Sequence, residues 1–313
     1  MKTPQKILVI LGPTASGKSA LAVKLAKKFN GEIISADSRQ VYRGLNIGTG
    51  KISKKEMRRV PHHLFDVANP KNRFSVVKYQ RLARRAIAAI TRRGHLPIIC
   101  GGTGFYIEAL TDNLVLPDVP PNEKLRARLR RETSETLLNM LMKLDPARAK
   151  TVDQKNPRRI IRAIEIAITL GKVPHLEARP PSGGKVLKIG LTLPAEELKK
   201  KIAIRLFARM RAGMIAEATR LHKRGLSWKR MEELGLEYRY LALHLQNKTH
   251  PNDRSRSVGR VSKPEMITKL QTEIWRYAKR QMTWFKRDKR IKWFKPTEIK
   301  KIKKAVQVFL KQP

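Results

Sequence analysis

Residues 12–19 read GPTASGKS, and they constrain this chain more than any other stretch. They follow a short apolar run at 6–11 (KILVIL) and precede a segment in which Leu21, Ala22, Leu25, Ala26 and Phe29 recur at helical spacing. The order is therefore buried strand, glycine-punctuated loop, helix. That is the context that confirms a G-x-x-x-x-G-K-S phosphate loop. Along Gly12, Pro13, Thr14, Ala15, Ser16 and Gly17 the backbone can curl so that its N–H groups turn toward one anion. The helix N-terminus adds partial positive charge. Lys18 supplies a full charge, and the Ser19 hydroxyl suits Mg²⁺. The loop specifies a phosphate or diphosphate; it does not by itself specify ATP.

Two further strand ends follow. Gly31 stops the helix, and 32–35 (EIIS) reads as a second strand leading into Asp37, Ser38, Arg39 and Gln40. A long basic helix is expected over 75–93, closed by Gly94. Residues 96–100 (LPIIC) form a third buried strand that runs into GGTG at 101–104. Strands alternating with helices at these lengths give a parallel α/β sheet. Ligands of such sheets sit beyond the carboxyl ends of the strands. The phosphate loop, Asp37 and Thr103 should therefore face one cleft. Asp37 reads either as a general base or base-edge acceptor, or as a turn cap. Thr103 either hydrogen-bonds a substrate or closes a turn beside the glycines. A hydrolysing NTPase expects an acid at the end of a neighbouring apolar strand, yet 96–100 ends in Gly-Gly-Thr. This favours a transferase that grips a leaving diphosphate. A nucleoside or small-molecule kinase, which also places an acid early, is the alternative.

The pattern changes at about residue 116. Pro117, Pro120 and Pro121 mark an entrance, 179–184 (RPPSGG) marks an exit, and helical and turn signals lie between. A strand resumes over 186–193. The expected organisation is a P-loop NTPase-like α/β core over 1–115 and 185–313, interrupted by an all-α insertion over 116–184. Helices are expected over 195–224, 264–286 and 297–311, with a polar loop over 247–263. Within the insertion, Asn156 suits an N-cap and Pro157 the first helical position. Ile160, Ile161, Ile164 and Ile168 form the buried stripe of that helix. Arg158 and Arg159 occupy its first turn, where the helix dipole disfavours cations. They read either as partners of RNA phosphates or as a solvated basic face. Arg126 lies in a second arginine cluster, with Arg128, Arg130 and Arg131. Lys201 and Arg205, four apart on an expected helix, can reach one anion.

Composition narrows the partners. Lys and Arg number 69 against 25 Asp and Glu, a net charge of +44, and the excess runs through every part of the chain. A polyanion is the expected partner, so an RNA-binding P-loop NTPase is a second alternative. No apolar run approaches the roughly 18 residues of a membrane helix. The single cysteine, Cys100, excludes an intramolecular disulfide framework and a four-cysteine zinc site. A monomer in the reducing cytoplasm is expected.

GPTASGKS (12–19), the ADSRQVYRGLNIGTGK run (36–51), PHHLFDV (61–67), GGTGFYIEAL (101–110), NPRRIIRAIEI (156–166), ELGLEYR (233–239) and RQMTWFKRD (280–288) occur in this order. Together they resemble the tRNA dimethylallyltransferases, over about residues 6–295. The resemblance implies transfer of a dimethylallyl group from dimethylallyl diphosphate to N6 of the adenosine 3′ of the anticodon. That adenosine is flipped into a channel, consistent with the inaccessibility of a stacked base. It implies that Asp37 binds N6 and takes its proton. Thr14, Lys18 and Ser19 would hold diphosphate and Mg²⁺, Arg205 would hold the diphosphate, and Thr103 would lie beside the reacting groups. The tRNA anticodon stem-loop would touch Asp37, Ser38, Arg39, Gln40, Thr103, Arg126, Arg158, Arg159, Ile160, Ile161, Arg162, Gly235, Tyr238 and Arg239. Lys201 stands where the family usually has Arg, and GLEYR departs from the string common in bacterial members. The C-terminus lacks a Cys/His zinc-finger pattern.

Overall fold

The computed structural model describes residues 5–174, 184–249 and 262–312. In chain order the elements are β1 (Lys6–Leu11), α1 (Lys18–Lys28), β2 (Gly31–Ala36), α2 (Lys54–Met57), β3 (His62–His63), α3 (Val76–Arg92), β4 (Leu96–Gly101) and α4 (Gly104–Thr111). Then come α5 (Glu123–Leu129), α6 (Ser134–Leu144), α7 (Pro146–Thr151) and α8 (Pro157–Leu170). The chain continues through β5 (Lys185–Leu191), α9 (Ala195–Arg211), α10 (Met214–Lys223), α11 (Trp228–Leu234) and α12 (Leu236–Thr249). It closes with α13 (Lys263–Phe285), β6 (Ile291–Phe294) and α14 (Ile299–Lys311). Two compact units result. Met1–Asp112 and Pro180–Pro313 form one, and Asn113–Arg179 form the other.

All strands of the first unit lie in one sheet of order β3-β2-β4-β1-β5-β6, and every pairing is parallel. The continuous apolar runs of β1 and β4 follow from burial on both faces. Leu8 and Ile10 of β1 pack with Leu21, Leu25, Ile302 and Val306 of α1 and α14. Ile7, Val9 and Leu11 point the other way, toward Tyr79, Ala83 and Ile87 of α3, Tyr106 and Ile107 of α4, and Phe285 of α13. A third cluster joins α9 to α13 with Val41, Tyr42 and Leu45 of the segment after β2.

β3 and β6 were not legible as strands. β3 is two histidines with no apolar alternation, and β6 is a four-residue edge strand. The single helix expected over 195–224 is two, because the chain takes a positive φ of 94° at Gly213 between them. α12 continues through Thr249, so it takes the start of the loop expected over 247–263. The proposed exit turn at 179–184 falls almost wholly outside the described residues, as do 250–261. No helix among the described residues is long and apolar enough to cross a membrane.

Among its described residues the second unit has helices and no strand. Ile160, Ile161 and Ile164 of α8 pack on Leu129, Leu137, Leu141 and Ala149. Ile168, expected in that stripe, is 52% exposed, because residues 168–170 of α8 are all exposed. Asn156 occupies the N-cap, but its side chain makes no capping bond.

One buried carboxylate ties β2 to its surroundings. Glu32 is 3% exposed. It accepts from Arg93 Nε and Nη2 at 3.0 and 2.8 Å, and it pairs with His63 Nε2 and His95 Nδ1, each at 2.6 Å. Burial alone raises its pKa, but these bonds outweigh burial and hold the carboxyl down to about 2. A carboxylate depressed in the fold contributes stability above its unfolded pKa, and that contribution is lost as pH falls toward 2. Glu32→Gln is therefore expected to cost on the order of 2 kcal/mol at pH 7, moderated because its cationic partners are partly exposed. The cost should shrink from about pH 4.5 down to pH 2, as read by denaturant midpoints across that range.

Candidate active site

The loop between β1 and α1 is built by steric exclusion. Gly12 has φ +141°, and a Cβ there would lie 2.6 Å from the Leu191 carbonyl oxygen at the end of β5. Ala15 adopts φ 63°, a left-handed conformation that a non-glycine residue takes only when its surroundings enforce it. The Ser16 hydroxyl is buried without a hydrogen-bond partner. Lys18 curls back and donates to the Pro13 carbonyl at 2.7 Å. Burial pulls the Lys18 ammonium down to about 8, and Arg205 acts the same way while Asp37 opposes it. An unpaired hydroxyl and a cation held at a cost in one loop suit a site that an anion completes.

Asp37 follows β2, as expected. Its Oδ1 accepts from the backbone N–H of Arg39 at 2.8 Å and of Gln40 at 3.2 Å. That is the turn-cap role. No hydrogen bond to Oδ2 occurs among the described residues, and Asp37 lines a cleft with Thr14 and Ala15. One carboxylate therefore both orders its own turn and offers an acceptor to the cleft. Thr103 precedes α4 without capping it. Its Oγ1 instead accepts from Ser38 N–H at 3.0 Å. Helices close the other sides of the cleft: Arg205 and Arg209 from α9, Gly235 to Tyr238 at the start of α12, and Ile274 and Tyr277 from α13.

Several expected residues lie elsewhere. Lys201 turns to Glu197 at 2.8 Å and is not among the cleft residues with Arg205. Ser19 is exposed on the first turn of α1. Tyr238 is 1% exposed, and its hydroxyl donates to Glu217 at 2.6 Å. Its ring borders the cleft floor, and its hydroxyl is not free for RNA. The side chains of Ile160 and Ile161 belong to the core of the second unit, which leaves them no surface to offer a nucleic acid. Arg126 gives its guanidinium to buried Glu165 at 3.0 and 2.7 Å, and Arg162 bonds to the same carboxylate and to the Val119 carbonyl. Both arginines organise the helices. Arg158 and Arg159 are exposed, and Arg159 meets Asp153 at 3.0 Å. Arg239 is exposed, and Arg39 lines the cleft.

Arg209, Glu237 and Tyr277 were missed. Arg209 donates to the Gly48 carbonyl and to Glu237, each at 2.8 Å. Its one sequence signal is its place one turn beyond Arg205 on the same helix face. No group of three His, Cys, Asp or Glu side chains able to hold a metal occurs among the described residues.

Residues 40–288 match the family model described as IPP transferase, and residues 5–69 match that described as isopentenyl transferase. This chain belongs to the IPP transferase family. It is 40% identical over 310 residues to tRNA dimethylallyltransferase 1 of Syntrophus aciditrophicus, covering 97% of this chain and 98% of that one. It is 38% identical over 303 residues to the tRNA dimethylallyltransferase of Thermomicrobium roseum, covering 95% and 88%. Among solved structures it is similar to the full-length tRNA isopentenylpyrophosphate transferase of Bacillus halodurans, with a TM-score of 0.71, 34% identity, and 98% and 97% of the two chains covered. A eukaryotic dimethylallyltransferase acting on tRNA gives a TM-score of 0.74 at 26% identity, over 90% of this chain and 69% of that one. These are P-loop NTPase-like α/β folds, in agreement with the sheet described above.

Lys18 generates a prediction within this family setting. In the free protein it loses its proton as pH rises through about 8, whereas a bound anion favours the charged form. Affinity for inorganic diphosphate should therefore fall between about pH 7 and pH 10, by up to about tenfold per unit. Lys18→Met should bind about 100-fold more weakly and lose that component of the slope. Calorimetric titration checks this; parallel slopes in the two proteins would show that Lys18 does not hold the anion.

Proposed function

We propose that this chain transfers a dimethylallyl group from dimethylallyl diphosphate to N6 of the adenosine 3′ of the anticodon in tRNA, releasing diphosphate. The observation that carries this reading is the shared cleft: Asp37, the front of the phosphate loop and Arg205 line one cavity. Meanwhile β4, beside the loop, ends at Gly101 and is followed by Gly102 and Thr103, with no acid to direct water. A base at one end and an anion cradle at the other suit alkyl transfer from a diphosphate ester better than hydrolysis.

The allylic carbon–oxygen bond breaks and its electron pair leaves with the diphosphate. The N6 lone pair forms the new carbon–nitrogen bond, and an N6 proton passes to the Asp37 carboxylate. Lys18, the loop amides and Arg205 stabilise the charge growing on the leaving group. A lone serine hydroxyl with no carboxylate cluster is the donor set for Mg²⁺ that arrives with substrate phosphates. Ser19 would hold that ion, which would supply positive charge to the leaving group. The apolar wall of Ile202, Ile274 and Tyr277 suits the dimethylallyl chain. Exposed Arg158, Arg159 and Arg239, with Arg39 at the cleft, are the cations left for tRNA phosphates once Arg126 and Arg162 are assigned to Glu165. The enzyme acts in the cytoplasm as a monomer.

Incubation with labelled dimethylallyl diphosphate and unmodified tRNA bearing the target adenosine should put label into RNA. Turnover of ATP without label in RNA would overturn the assignment in favour of a kinase or NTPase. Asp37→Asn keeps the acceptor that caps the turn and removes the base. It should lower the transfer rate by about 10²- to 10⁴-fold while tRNA affinity stays within about threefold; lost affinity would make Asp37 part of the RNA seat instead. Replacing Arg158 and Arg159 together by Ala should weaken tRNA binding and reduce the slope of log affinity against log salt by about two. An unchanged slope would leave both as solvated surface.

A further inference from the structure

The run RQMTWFKRD belongs to the family resemblance, yet no residue in it has been given a task. Gln281, within it, is 6% exposed. Its Oε1 accepts from Thr14 N–H in the phosphate loop at 2.8 Å, and its Nε2 donates to the Gly102 carbonyl at 2.8 Å. A backbone N–H only donates and a carbonyl only accepts, so these partners fix the orientation of the amide. The seat is shaped for it: a Cβ on Gly102 would lie 2.2 Å from Gln281 Nε2. One turn later, Trp284 covers Gly104, where a Cβ would lie 2.3 Å from the indole ring. One turn earlier, Tyr277 lines the cleft. Gly102 and Gly104 are thus the docking surface of α13, while Gly101 packs on Ala36 of β2.

We infer that Gln281 is a positioning residue that sets the diphosphate loop against the acceptor loop. This rests on the transfer reaction proposed above. One of its bonds holds the loop that grips the leaving group. The other holds the residue before Thr103, and Thr103 in turn holds Ser38 N–H beside Asp37. A single rigid amide therefore sets the distance between leaving-group site and base. Transfer is sensitive to that distance, since about 1 Å of misplacement can cost about 100-fold in rate.

Gln281→Met keeps the length and volume of the side chain and removes both bonds. It is expected to lower kcat about 100-fold and to leave the KM for tRNA within about threefold. Leu270→Ala, in the same helix, buried in the core and not among the cleft residues, supplies a matched loss of stability; its kcat well below its melting temperature should stay near wild type. Gln281→Glu gives a second readout. A protonated carboxyl donates to Gly102 and accepts from Thr14, whereas a carboxylate can only accept. The ratio of its kcat to wild type should therefore rise as pH falls from about 9 to about 6. Wild-type kcat in Gln281→Met, an equal loss in Leu270→Ala, or a pH-independent ratio for Gln281→Glu would each overturn the assignment. Binding of inorganic diphosphate separates this from the reaction itself. A wild-type protein that binds diphosphate but transfers nothing removes the reaction. The clamp is then judged on affinity, where Gln281→Met should bind about tenfold more weakly.

Discussion

The site depends on the register of the parallel sheet. Leu11 of β1 lies level with Gly101 of β4 and Gly190 of β5, and Gly101 lies level with Ala36 of β2. β1, β2 and β4 therefore end at one height, and β5 runs one residue further. The residues that follow, Gly12, Gly102 and Asp37, leave the sheet together. Slipping one strand by a residue would turn its apolar side chains to the wrong layer of helices. The same burial that holds the core therefore holds the phosphate loop, the base and the threonine in mutual position.

Acids are scarce in this chain, and several are spent on organisation. Glu217 is buried and accepts from the backbone N–H groups of Asn46, Ile47 and Gly48 at 3.1, 2.8 and 2.9 Å, and from the Tyr238 hydroxyl. It thereby fastens the segment after β2 to α10 and α12. Glu165 does the same for the helical unit through Arg126, Arg162 and the Asn122 N–H. Glu32 gathers Arg93, His63 and His95 at the start of β2. Lys188 lies buried in β5, 2.6 Å from Asp288 and 3.4 Å from Asp112. In a protein with a net charge of +44, carboxylates at such nodes let cations sit inside the fold, and the unpaired cations remain for the surface. The strings NPRRIIR and GLEYR mix the two uses: Ile160, Ile161, Arg162 and Tyr238 build the scaffold, while Arg158, Arg159 and Arg239 reach solvent.

Legibility followed the range of the interaction. The strands at β1, β2, β4 and β5 and the helix of the phosphate loop were readable because their signals are local: apolar runs, helical spacing, and glycines at fixed offsets. The prolines at 117, 120 and 121 lie a few residues after the division at Asp112 and Asn113. β3 and β6 were not readable, since edge strands of two and four residues owe their existence to a neighbour's unpaired backbone. Asp37 and Thr103 were placed at neighbouring strand ends by topology alone. Tyr277, Arg209 and Gln281 could not be placed, because helical spacing shows which face of a helix is apolar but not which loop that face meets.

From the amino-acid sequence alone come the parallel α/β class, the anion-binding loop, the interrupting helical segment and the residue types on offer at three strand ends. Each is settled by backbone stereochemistry or by hydrophobic periodicity over a few residues. Tertiary structure alone decided which cations are free and which are consumed, and that Asp37 caps its own turn while presenting an oxygen to the cleft. It also decided that an amide 267 residues from Thr14 completes the loop. These depend on contacts between distant segments, and such contacts exist only once the sheet has brought the strand ends to one level.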